Sequence, residues 1–253
     1  MIDVHCHLEH ENFKKDIENV VKKCKEELKY IITSSPHPKD FEYTISLVDK
    51  FPGYVYACLG LHPEYVEEFD EDRIKGFEAF VESNINKVSA LGEIGLDYFW
   101  IKDERLREKQ KELFYRVIEF AKKIKKPIVV HIREAYEDAI KILENRDYQK
   151  VLLHMFGGEK FVEKVLSNEW KISVGPIILR SKTHKKIVKK LPIERIMLET
   201  DSPWMKIDGR QTFPTDVKIV AAKIAEIKKI DINSVERFTD ANAKEFFGLK
   251  LIQ

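Results

Sequence analysis

The chain has 253 residues, 43% of them hydrophobic, and its 44 Lys and Arg against 43 Asp and Glu leave a formal net charge of +1. The length allows one α/β barrel or at most two smaller domains, and the apolar content excludes intrinsic disorder. Near-zero net charge excludes a polyanion binder that works through bulk positive charge, and ten Gly with nine Pro exclude a fibrous or linker-rich chain.

Short apolar runs alternate with amphipathic helical patterns along the chain. Strands are expected at residues 2–5, 29–33, 54–59, 88–91, 127–131, 151–154, 171–174 and 195–198. Between the fourth and fifth, a helix after Asp103 puts Leu113, Phe114, Val117, Ile118, Ala121 and Ile124 on one face. After the eighth, Val217, Val220, Ala221, Ile224 and Ala225 keep the same rhythm. A last helix is expected to start at Asn233, with Glu236 completing a capping box, and to be capped by Gly248. Strands alternating with helices predict parallel pairing through right-handed crossovers. Eight such units in this length predict a (β/α)8 TIM barrel, a single domain over residues 1–253 with an extra C-terminal helix. An open doubly wound sheet would carry a glycine-rich loop after its first strand, whereas this first strand runs into HCHLEH.

Cys6, Cys24 and Cys58 are an odd number at no framework spacing, which argues against a disulfide scaffold and for the cytoplasm. The start, MIDVHCHLEHE, is too polar for a signal peptide. No run approaches the ~18 apolar residues of a membrane span.

The chemistry concentrates at the strand ends. His5 and His7 are two apart on the first strand, so both rings face one side and can reach one ion while Cys6 points away. Glu93 follows the fourth strand, His131 and His154 end the fifth and sixth, and Asp201 follows the eighth. In a barrel those ends share one face, where active sites sit. These six ligands exceed what one tetrahedral ion needs. Two divalent cations sharing a carboxylate fit better, with Glu93 the bridge and Asp201 the general base. The nitrogen-rich set favours Zn2+ or Mn2+ over Mg2+. No Cys or Ser stands where a nucleophile triad needs one, which argues against covalent catalysis.

The motifs DVHCH, GLHPE, ALGEIGLDY, the Arg107–Gln110–Phe114 pattern, VVHIREA, HMFGG, LETDSPW and the late Arg210 together resemble the TatD-type deoxyribonucleases, within the amidohydrolase-like metal-dependent hydrolases. The resemblance covers nearly the whole chain. It implies the same barrel, with one ion on His5, His7, Glu93 and Asp201 and the other on Glu93, His131 and His154. It implies a hydrolase that cuts DNA phosphodiester bonds, acting as a 3'-5' exonuclease on single strands. The chain departs from the family pattern after Arg210, where Gln211, Thr212 and Phe213 precede Pro214.

Around this set, Arg133 follows His131 by two and so shares its side, where its planar fork suits either a phosphate or a salt bridge at the rim. Arg210 carries the same two readings, His62 is either a substrate contact or a hydrogen-bonded loop-former, and Arg180 and Lys206 also follow strands. Glu199 and Asp97 are expected behind ligand histidines, with Asp97 alternatively capping the next segment. Trp100 and Trp204 could stack bases or close the pocket by packing. His10, His37 and His184 read as surface or loop residues. The rival readings are a metal-dependent amidohydrolase or esterase acting on a small amide, ester or lactone, and a non-enzymatic binding barrel.

Overall fold

The computed structural model describes residues 1–249. The strands β1 (Ile2–Cys6), β2 (Tyr30–Ser35), β3 (Val55–Leu59), β4 (Val88–Asp97), β5 (Ile128–Arg133), β6 (Val151–Leu153), β7 (Lys171–Val174) and β8 (Ile196–Leu198) form one parallel sheet in chain order. The sheet curls until β1 meets the segment after β8. There Cys6 bridges Ser202, His7 N donates to the Ser202 carbonyl at 2.8 Å, and Asp201 N donates to the His5 carbonyl at 2.9 Å. Asp3, wholly buried, reinforces the seam by accepting from Thr200 N at 3.1 Å and from Thr200 Oγ1 at 2.6 Å. The result is the expected (β/α)8 barrel.

The helices α1 (Glu11–Lys14), α2 (Ile17–Lys25), α3 (Phe41–Lys50), α4 (Glu71–Ser83), α5 (Glu104–Ile124), α6 (Tyr136–Arg146), α7 (Val162–Ser167) and α8 (Lys182–Lys190) alternate with the strands, and α9 (Val217–Lys228) and α10 (Ile232–Phe247) follow β8. Strand residues alternate between two apolar layers. Val4, Ile32, Cys58, Ala90, Val129, Leu152 and Met197 fill the barrel, while a larger cluster packs sheet against helices. In α5 the buried face contains Leu113, Phe114, Val117, Ile118 and Ala121, as the periodicity predicts. Ala243 and Phe247 of α10 join Ile2 and Tyr30 in the inner cluster, so this helix stoppers the N-terminal end of the barrel. Among the described residues no helix is long and apolar enough to cross a membrane.

Of the boundaries that differ from expectation, two have consequences. First, β4 does not end at residue 91 but continues to Asp97, carrying Glu93 inside it. Gly92 and Gly95 lie within it, and the strand runs on through a register shift between Leu91 and Ile94. Second, α10 starts at Ile232, one residue earlier than expected, because Asp231 takes the cap by accepting from Ser234 N at 2.9 Å. Glu236 is therefore not a capping-box partner. It accepts from the N-terminal amine at 3.0 Å and pairs with Lys29 at 2.8 Å, tying α10 to both ends of the first βα unit.

That pairing sets a pH dependence. The hydrogen bonds from Lys29 and the N-terminal amine, opposed by partial burial, lower the Glu236 carboxyl from 4.5 to about 2. A depressed carboxyl stabilises the fold above its unfolded value, near 4.5, and that stability is lost as pH falls toward 2. Glu236→Gln should therefore lower the denaturation midpoint at pH 7, and the two proteins should converge in acid. Denaturant titrations at pH 7 and near pH 2 would measure this, and an equal gap at both values would count against it.

Candidate metal centre

The C-terminal ends of the strands gather the metal-competent side chains around Glu93, which is 4% exposed. On one side, Glu93 Oε1 lies 3.4 Å from His5 Nε2 and 3.8 Å from His7 Nε2. Asp201 Oδ1 lies 3.7 Å from the same His5 nitrogen and 3.2 Å from the same His7 nitrogen. On the other side, Glu93 Oε2 lies 3.5 Å from His131 Nδ1 and 3.6 Å from His154 Nε2. His62 Nε2 approaches that oxygen at 3.8 Å. The two carboxylate oxygens thus face two separate groups of nitrogens.

Glycine places Glu93 this tightly. A Cβ at Gly60 would stand 2.4 Å from the Glu93 carbonyl oxygen. At Gly95, where φ is +138°, a Cβ would stand 2.1 Å from the His131 carbonyl oxygen. Only glycine lets β3 and β5 close on the β4 bulge that presents the carboxylate.

Each histidine that faces Glu93 is held from behind. His7 Nδ1 meets Glu9 Oε1 at 3.0 Å, His131 Nε2 meets Asp97 Oδ2 at 2.9 Å, and His154 Nδ1 meets Glu199 Oε2 at 2.7 Å. A carboxylate accepts, so in each ring the nitrogen bonded from behind carries a hydrogen, which leaves the nitrogen facing Glu93 as the ligand atom wherever an ion replaces a proton there. His5 Nδ1 meets Ser34 Oγ at 3.2 Å, and its buried Nε2 has no hydrogen-bond partner. Four ring nitrogens converging on one carboxylate, one of them unpartnered in a buried site, are what a divalent cation requires. His5, His7 and Glu93 form one group with ligand atoms close enough for an ion, and His62, Glu93 and His131 form another.

The electrostatics agree. Burial pushes the Glu93 carboxyl up, but His5, His131 and His154 outweigh it and hold the group well below its ordinary value. Burial likewise raises Asp201, and the His7 bond with the His154, His7 and His5 charges lowers it overall. Burial lowers His154, yet Glu199, Glu93 and Asp201 pull it up to about 10. The carboxylates draw positive charge to the place where the ligand atoms converge. His62 behaves differently. Burial first, then His131, lowers it to about 3. Its Nδ1 accepts from Glu64 N at 3.2 Å, so the neutral ring points an Nε2–H at the centre.

Above the centre opens a cleft of about 360 Å³, lined by His7, His62, Glu64, Glu93, His131, His154 and Asp201, with Trp100, Arg133 and Trp204 at its mouth. Trp100 is 56% and Trp204 62% exposed, high for such large apolar rings. Arg133 lies 3.8 Å over the Phe99 ring and 5.5 Å over Trp100, and it has no ion-pair partner among the described residues. His10 packs against Trp204 at 4.7 Å.

The structure brings His5, His7, Glu93, His131, His154, Asp201, His62 and Arg133 together. It does not bring Arg210 to the cleft lining: the guanidinium is clamped by Asp216 through two bonds of 2.7 Å. Arg180, which donates to the Lys206 carbonyl, and Lys206 itself also stay outside that lining. His37 is a loop residue as expected, buried where it caps the turn at Pro38–Asp40, whereas His184 lies within α8. Glu199 and Asp97 stand behind histidines, and Asp97 also caps Phe99 N and Trp100 N at 2.9 Å. Sequence reasoning missed Glu9, Ser34 and Glu64. Glu9 follows His7 at the same two-residue spacing that revealed His5 with His7, so the signal was there.

A family profile described as TatD related DNase matches residues 2–248. The chain is 32% identical to human deoxyribonuclease TATDN3 over 259 residues, spanning 98% of this chain and 94% of that protein. It is 31% identical to the uncharacterized metal-dependent hydrolase YabD of Bacillus subtilis over 258 residues, spanning 98% and 99% of the two chains. The crystal structure of YjjV, a TatD homolog from Escherichia coli, superimposes with a TM-score of 0.91 at 25% identity, covering 99% of this chain and 98% of that one.

Proposed function

The chain belongs to the TatD-related DNase family of metal-dependent hydrolases acting on ester bonds, and on that premise we propose that it hydrolyses DNA phosphodiester bonds with two divalent cations seated on either side of Glu93. The observation that carries this reading is the division of Glu93, with His5, His7 and Asp201 on its Oε1 side and His131 and His154 on its Oε2 side. Charge balance favours two ions over one. Glu93 and Asp201 at the centre, with Glu9, Asp97 and Glu199 behind the histidines, carry five formal negative charges, of which two divalent cations offset four. A single ion would leave the cleft too negative to admit a phosphodiester. Zn2+ and Mn2+ suit the nitrogen-rich set better than Mg2+.

Cations bound there would polarise the scissile phosphodiester and acidify a water. The side chains do the rest. Asp201 orients the attacking water and takes its proton, as a buried carboxylate with a lowered pKa can. His62 donates its Nε2–H to a substrate oxygen. Arg133, the arginine at the mouth, grips a non-bridging phosphate oxygen. Trp100 and Trp204 stack the flanking bases. Unstacking a duplex end costs a few kcal/mol, so a single-stranded 3' end enters more readily. The three cysteines, all free and buried, suit work in the reducing cytoplasm.

The test uses metal-reconstituted protein on labelled single-stranded, duplex and circular single-stranded DNA, beside a panel of small amides, esters and lactones. Chelator-sensitive shortening of the linear single strand from its 3' end, faster than of blunt duplex, is expected. Circular DNA cut as fast as linear would remove the end-directed mode. Turnover of a small ester or amide with no phosphodiester cleavage under any metal would replace the reading with an amidohydrolase or esterase. Arg133→Ala should raise KM for the strand and reduce the log–log salt slope of binding by about 0.7 unit, one lost single-strand phosphate contact. An unchanged slope and KM would return Arg133 to packing on Phe99.

A further inference from the structure

The end of the barrel opposite the cleft holds a second polar cavity. It measures about 610 Å³ and lies among the turns that enter β5, β6, β7 and β8, beside the C-terminus of α10. A neighbouring cavity of about 570 Å³ shares Ser89, Lys126, Phe247 and Gly248 with it, so the two form one groove across the N-terminal face.

The groove is rich in cations. Some are neutralised: Arg195 pairs with Glu169 at 2.9 Å, Lys171 with Glu245 at 3.7 Å, and Lys87 with Asp49 at 2.7 Å. After these pairings Lys125, Lys126 and Lys150 remain, and none of the three has an ion-pair partner among the described residues. Lys126 is half-buried. Burial, then the nearby Lys150, lowers its ammonium below the ordinary value, so the cluster repels itself as it stands. Bare lysines on a solvated face are common and mean little. Here they edge a concave space whose floor includes Pro127 and Phe246, an apolar surface beside the charges. Ammonium groups around a cavity with an apolar floor suit a ligand that is anionic at one end and flat and apolar at the other. The net charge of +1 shows that this concentration is local, not a reflection of the whole chain.

We propose that this groove is a second anion site, in which Lys125, Lys126 and Lys150 take the phosphate of a nucleotide whose base rests on the Pro127 and Phe246 floor. The chemistry recognised is the same whether the nucleotide is free or part of a strand. The site shares no residue with the metal centre, so it stands whether or not the cleft cleaves DNA.

The experiment is calorimetric titration of the full chain, treated with chelator and carrying Arg133→Ala so that the cleft contributes least. The probes are inorganic phosphate, dAMP and a five-nucleotide single strand, at low salt. dAMP should bind more tightly than phosphate, and adding Lys126→Gln with Lys150→Gln should weaken dAMP at least tenfold. A strand that binds more tightly than dAMP, with a salt slope that falls by about 1.4 units in the double variant, identifies nucleic acid as the source. dAMP binding without strand binding identifies the free nucleotide. In an otherwise unaltered chain, the Lys126→Gln, Lys150→Gln variant should keep its circular dichroism and its metal-dependent cleavage rate within twofold of the parent. Equal affinity of both proteins for dAMP and for the strand overturns the site. Phosphate binding as tightly as dAMP overturns the nucleotide assignment.

Discussion

Asp201→Asn should lower kcat by about 10²–10⁴-fold, the range of a positioned general base, while single-strand affinity stays within a few-fold of the parent. The substitution keeps the volume and the approach to His5 and His7 but removes the group that can accept a proton. Asp201 sits at φ 53°, a left-handed conformation that a side chain larger than glycine adopts at a cost. Its backbone N is anchored to the His5 carbonyl and its own carbonyl accepts from Trp204 N at 2.9 Å, so asparagine, which tolerates this region, should hold the same backbone. Single-turnover cleavage beside a separate binding titration would tell chemistry from affinity. Near-parental turnover would remove Asp201 from the proton transfer, and equal losses in affinity and rate would make it only a ligand.

The second large effect is expected at Glu93. Glu93→Gln replaces the one carboxylate that faces both nitrogen groups, so metal content should fall from two ions per chain toward none and turnover to background. His131→Ala should behave differently, losing the ion on the Oε2 side while keeping the other, because only the contact to that oxygen is removed. Elemental analysis of the three proteins after identical loading would decide. One ion in the parent, or two in Glu93→Gln, would end the two-ion arrangement.

The barrel and its centre were legible for the same reason. Side-chain chemistry at strand ends is visible whenever strand spacing is, and His5 with His7 needs only the two-residue repeat of an extended chain. Glu93 was found in spite of a misplaced strand end, because the role of Gly92 and Gly95, close approach of β3 and β5, depends on neighbours distant in sequence. Gln110 shows the same limit. It is buried in α5, where its side-chain amide donates to the Pro63 carbonyl at 2.8 Å and its oxygen accepts from Asp97 N at 3.1 Å. Arg107 donates to the Ile101 and Tyr98 carbonyls. Together they fasten the loops that carry His62 and Trp100, a task spelled by no local pattern. Arg210 left two readings open, a phosphate grip or a rim salt bridge, and the structure has the salt bridge: Asp216, six residues on, accepts from both terminal guanidinium nitrogens.

The seam between β1 and the segment after β8 has a consequence for how the protein comes to be made. His7 leaves the ribosome 194 residues ahead of Asp201, at about 5–20 residues per second roughly ten to forty seconds earlier. A nascent chain therefore exposes a histidine pair long before the carboxylate opposite exists, and no partial product can complete the centre. An ion that settles across this junction acts as a rivet between an early and a late part of the polypeptide. Removing it should loosen amide protons at Cys6 and Ser202 before those of β5 and β6, a difference hydrogen exchange can time.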